Sequence, residues 1–127
     1  MYWTDLPGSE LMRRVYSNPP LINEIDIFSI DVKRDGPTVI MSFDLVNSLP
    51  DKTPDKWGND FNRCRAGIYC FGVSDLNMQG IETDMVAKID IKIMDNKNIV
   101  SIKNNDIDIK IICSHISLTG PSVYISK

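Results

Sequence analysis

The sequence predicts a mainly β protein, α+β at the margin: an antiparallel sheet of about seven strands, curved into a sandwich or a partly open barrel, with one short N-terminal helix. Three observations carry this. Apolar and polar residues alternate in one segment after another from Glu24 onward, which is the period of a strand with one buried face. Turn-forming pairs, Asp35-Gly36, Asp95-Asn96 and Asn104-Asn105, fall between those segments. The regular strand and helix alternation that a parallel sheet needs is missing, as is any internal repeat. Residues 1–127 are read as one domain, long enough to bury about two-thirds of the unfolded surface without disulfides or metal.

The elements follow in order. Pro7-Gly8-Ser9-Glu10 opens a short helix with Leu11, Met12, Val15 and Tyr16 on one stripe; Ser9 or Asp5 is expected to cap it, Trp3 to fold back onto the stripe, and Asn18-Pro19-Pro20 to end it. Glu24 to Val46 reads as one long hairpin around Arg34-Asp35-Gly36-Pro37. Its outgoing arm holds two apolar phases, Ile25 and Ile27, then Phe28, Ile30 and Val32. Keeping both on one face requires a bulge or bend near Ile27-Phe28; the alternative is a strand buried on both sides. The returning arm, with Val39, Met41, Phe43 and Leu45 in phase, belongs inside the sheet. Asn47 to Asn62 is a long loop, Arg63 to Val73 a third strand with small residues that imply close packing, and Asp75 to Asp84 a polar connection. A meander of three strands then covers Ala87 to Ile93, Ile99 to Ile102 and Ile107 to Cys113, and a last short strand, Val123 to Ile125, follows Gly120-Pro121.

Composition narrows the function classes. Formal charge is −3 with mixed signs, which disfavours general nucleic-acid binding. Up to Arg63 there are 10 acidic and 7 basic residues, and after it 7 of each, so a basic partner would prefer the first half. Apolar runs do not exceed four residues, too short for a membrane-spanning helix. The start lacks a signal-peptide pattern and the three cysteines are odd in number; both point to a reducing cytoplasm.

Little in the chain spells out catalysis. His115 is the one histidine, and Cys113-x-His115 puts both side chains on one face of a strand, more consistent with an apolar row ending at a boundary histidine than with a nucleophile and its base. Cys64 and Cys70 on one extended strand lie about 20 Å apart, too far to share an ion. No cofactor or metal is expected, and no enzyme. Two of the 17 acids meeting across a cleft would be the exception.

Four landmarks remain: Trp3, Pro20-Leu21, Arg34-Asp35-Gly36-Pro37-Thr38 and Pro54-Asp55-Lys56-Trp57. In that order and spacing the chain resembles the immunity protein 50 family of bacterial polymorphic toxin systems, chiefly over its first 75 or so residues. The resemblance implies a cytoplasmic, non-enzymatic protein, a monomer or weak dimer, that binds and neutralises a cognate toxin domain. Taken with the acidic first half, it makes Asp51, Asp55, Trp57 and Asp60 in the long loop the expected partner-binding residues, although Trp57 alone reads first as an anchor of its loop. The alternative is a small β-sandwich binding a ligand such as a carbohydrate, with Trp57, Tyr69 and Tyr124 lining a groove.

Overall fold

The computed structural model describes residues 1–126. Eight antiparallel strands form one open sheet in the order β4-β7-β6-β5-β1-β2-β3-β8. They are β1 (Glu24–Lys33), β2 (Thr38–Leu45), β3 (Arg63–Phe71), β4 (Asp75–Gln79), β5 (Val86–Met94), β6 (Lys97–Lys103), β7 (Asp108–Cys113) and β8 (His115–Tyr124). One helix, α1 (Glu10–Val15), and two short 3-10 turns complete the described chain.

The sheet wraps over itself because β3–β4 and β7–β8 make one long ribbon. β3 pairs with β8 from Arg63 opposite Tyr124 to Phe71 opposite His115, and β4 pairs with β7 from Asp75 opposite Ile112 to Gln79 opposite Asp108. The ladder does not lapse between them. Ser114 N donates to Phe71 O at 3.0 Å and Ser74 N to Ile112 O at 2.9 Å. The ribbon therefore crosses from one layer, β4-β7-β6-β5, to the other, β1-β2-β3-β8, and buried residues of both layers join in one core cluster. At the crossing Gly72 has φ +62°, and a Cβ there would strike the Ser114 side chain, so this corner admits no larger residue without a shift. Elsewhere the layers meet at the β1–β5 joint, only three residue pairs long.

The core follows from the alternation. Ile25, Ile27, Val39, Met41, Phe43, Ile68, Ile89, Val100, Ile109 and Leu118 are all buried and belong to one cluster. Trp3 is 1% exposed and stacks on Phe43 with ring centroids 5.0 Å apart, and α1 adds Met12 and Val15 from the open end. The long loop is tied beneath that helix: Asp51 N and Lys52 N donate to Val15 O, and Tyr16 Oη donates to Ser48 O at 2.6 Å.

The bulge in β1 lies where the residue phases require it, between Ile27 and Ser29, with Phe28 as the extra residue. It puts Ile30 and Val32 opposite Met41 and Val39, on the core face, but Val32 projects past the core and stays exposed. Three expectations are corrected. Asp75 to Asp84 is not only a connection: its first five residues pair as the edge strand β4, whose two half-buried apolar residues are a weak period-two signal. β8 starts at His115, and Gly120-Pro121 forms a bulge within it instead of preceding it. Neither Ser9 nor Asp5 caps α1; Ser9 Oγ donates to Thr4 O at 3.0 Å, and Asp5 accepts from Tyr2 N at 2.8 Å.

Gly36 offers an internal control for the corner, since it also has positive φ but faces open space. Gly36→Ala is expected to cost about 1 kcal/mol and Gly72→Ala about 3 kcal/mol or more in urea unfolding, the difference being steric. Equal costs would mean that the corner tolerates a side chain.

Candidate partner-binding site

The register of β1, β2 and β3 sets Asp26 directly opposite Asp44, and Asp44 directly opposite Arg65, on the outer surface of one layer. Two carboxylates facing each other across strands repel, so this pairing needs cations beside it. They come from alternate residues of β3. Arg63 Nε donates to Asp44 at 3.1 Å and its Nη2 to Asp26 at 2.9 Å; Arg65 Nε donates to the other oxygen of Asp44 at 3.0 Å and its Nη2 to Tyr124 Oη at 2.9 Å. Tyr124 Oη in turn donates to Asp44. Every polar atom of the Asp44 side chain is engaged, and that side chain is only 4% exposed, against 40% for Arg63 and 30% for Arg65.

Aromatic rings fix the geometry further. The Arg65 guanidinium lies 3.8 Å from the centroid of Phe28 and 4.7 Å from that of Tyr124, held by cation–π attraction on both sides. Phe28 is the bulge residue of β1 and is itself 65% exposed. A cleft of about 220 Å³ opens here, bounded by Asp26, Phe28, Asp44, Arg63, Arg65 and Tyr124. A second of about 270 Å³ adjoins it and shares Asp26, Asp44 and Arg63. Exposed Leu49 and Val86 line that second cleft. A rigid charged centre with exposed apolar residues beside it has the anatomy of a protein-recognition site, in which Arg and Tyr are favoured.

Both carboxylates of the first cleft face guanidinium groups. Asp26 and Asp44 are thereby built into an ion-pair network with Arg63 and Arg65. Among the described residues no group of three or more His, Cys, Asp or Glu side chains is placed to hold a metal. No described helix is long and apolar enough to cross a membrane.

A protein-family model described as Immunity protein 50 matches residues 8–124 of this chain. The chain belongs to the immunity protein 50 family. The matched span extends through β8, well past the landmarks of the first half, whereas Trp3 lies outside it. No curated protein and no solved structure matches the chain.

In this immunity protein 50 chain the loop residues expected at the interface have separate placements. Asp51 accepts from Ser17 N at 2.8 Å, and hydrogen bonding with Ser17 holds its carboxyl below the ordinary range. Asp55 and Asp60 are exposed, and Trp57 is half-buried against the core at the end of a 3-10 turn, as an anchor of the loop would be. Four of the ten acids of the first half are engaged by the fold: Asp26 and Asp44 pair with arginines, while Asp5 and Asp51 accept backbone amides. Cys113 and His115 do not share a strand face. The ribbon corner at Ser114 separates them, leaving Cys113 buried and His115 exposed and stacked on Phe71 at 6.0 Å. Tyr69 and Tyr124 do share the outer face of the layer, with Tyr69 beside Phe71.

Arg63, Arg65 and Asp44 were missed as a site because each looks like an ordinary outward polar residue on its own strand. The signal was the hairpin register, which sets two aspartates opposite each other and so calls for cations on the next strand. If Asp44 is the hub, Asp44→Ala lowers stability by about 3 kcal/mol in urea unfolding, the cost of leaving its partners unpaired. Asp26→Ala, with a more exposed carboxylate, costs no more than about 1 kcal/mol. Equal losses would remove Asp44 from the centre of the network.

Proposed function

We propose that this protein is a non-enzymatic immunity protein of a bacterial polymorphic toxin system, acting in the cytoplasm as a single domain, a monomer or weak dimer, that binds one toxin domain per chain and blocks it. Family membership is the observation that carries this reading. The charged cluster with its apolar margin supports a contact with protein, because its arginines are held in place before any partner arrives and lose little freedom on binding.

The proposed surface is centred on Arg63, Arg65, Phe28 and Tyr124. The long loop joins it through its two ends, since Asn47, Ser48, Leu49 and Asn62 all line the second cleft. Asp55 and Asp60 supply a charged margin that influences encounter more than affinity. Asp51 and Trp57 support this surface from below by holding the loop on α1 and on the core.

The test is titration of the toxin domain encoded beside this gene with the protein, following toxin activity and complex mass. Inhibition that completes at one equivalent, with toxin recovered chemically intact after dissociation, is expected. Protection at far below one equivalent, with a modified toxin, would make the protein an enzyme. Absence of binding would sink the immunity reading. Within a working complex, Asn at Asp55 and Asp60 slows association only a few-fold, and more salt erases the difference.

A further inference from the structure

We propose, resting on the toxin-binding reading above, that the Arg63–Arg65 pair is a receptor for one acidic side chain of the partner protein. An arginine carries five N–H donors. In both residues Nε and Nη2 are the engaged nitrogens, turned to Asp44, Asp26 and Tyr124. Among the described residues neither Nη1 has an acceptor, and the two side chains are 40% and 30% exposed while Asp44 beneath them is 4% exposed. The charge of Asp44 is thus deep and saturated, Asp26 at 28% exposed gives one oxygen to Arg63, and both arginines line the cleft of about 220 Å³ with donors to spare.

The occupant follows from charge and surroundings. Asp26 and Asp44 offset the two arginines, so the cluster as a whole is neutral and the protein is at −3, which disfavours a polyanionic phosphate backbone. A singly charged carboxylate matches two outward guanidinium ends and accepts from both. Phe28 and Tyr124 beside those ends, with Leu49 and Val86 at the adjoining cleft, suit the apolar stem and neighbours of an Asp or Glu on a folded protein.

The test measures affinity for the toxin domain encoded beside this gene, using the parent and the variants Arg63→Lys, Arg65→Lys and Lys103→Gln. Lysine keeps the charge but loses the planar fork, so each arginine variant is expected to weaken binding about tenfold or more. Lys103, exposed on the other layer, serves as control and changes binding less than about twofold. A scan replacing the toxin's surface Asp and Glu by Asn and Gln, against the parent protein, decides the matter even if an arginine variant fails to fold. One of those positions must cause a comparable loss, and combining it with Arg65→Lys must add little further. If the parent binds and neither arginine variant nor any toxin carboxylate matters, the receptor is overturned and the immunity reading stands; if the parent does not bind, both fall.

Discussion

A sheet of eight strands cannot stay flat around one core, and here the turn is made by a ribbon of two strands that runs through both layers. Because the ladder continues across Phe71, Ser74, Ile112 and Ser114, backbone pairing runs through the corner, and the strand pair stays hydrogen-bonded from Arg63 to Gln79 with one bulge at Gly120-Pro121 and a one-residue shift at the corner. The rest depends on this pairing. It fixes which residues of β3 face outward, and so delivers Arg63 and Arg65 to the same side as Asp44. The free edge of β8 beyond the corner is covered by the N-terminal segment, where Leu118 N donates to Pro7 O at 2.7 Å.

The second organising feature is the bulge in β1. One extra residue shifts the strand's phase so that Ile25, Ile27 and Ile30 all face inward, and the residue it ejects, Phe28, lands over Arg65. A single irregularity thus serves core and surface together. Exposed charge pairs stabilise a fold little, and this cluster contributes chiefly through Asp44, which is buried. Its greater consequence is rigidity, since two long side chains that ordinarily sample many rotamers are held by carboxylate, phenol and aromatic ring.

Much of the fold was legible because strand burial has period two. The hairpin, its bulge, the meander and the helix stripe all follow from spacing alone, while β4 did not, since Leu76 and Met78 are its only apolar residues and the strand forms by pairing at an edge. The wrap of the sheet was not legible either. The corner at Gly72 and Ser114 is marked in sequence by small residues that occur in many turns, and a strand on each side of it looks continuous. That same corner separates Cys113 from His115, which strand geometry alone would keep together. For the site, the loop's acids stand out because charge excess is visible along a sequence, yet Asp51 is engaged by the fold and Asp55 is followed directly by Lys56. A cluster assembled from four strands has no local signature, although Asp26 opposite Asp44 could be inferred from the hairpin.

The central claim is that the partner sits on the outer face of β1, β2, β3 and β8 and the adjoining cleft, not on the lysine-bearing outer face of β5, β6 and β7. Methyl cross-saturation in the complex with unlabelled toxin domain separates the two directly. The account predicts attenuation of the Leu49, Val86 and Ile40 methyls, with Ile99 and Ile112 on the other layer unaffected. Attenuation confined to Ile99 and Ile112 would contradict it.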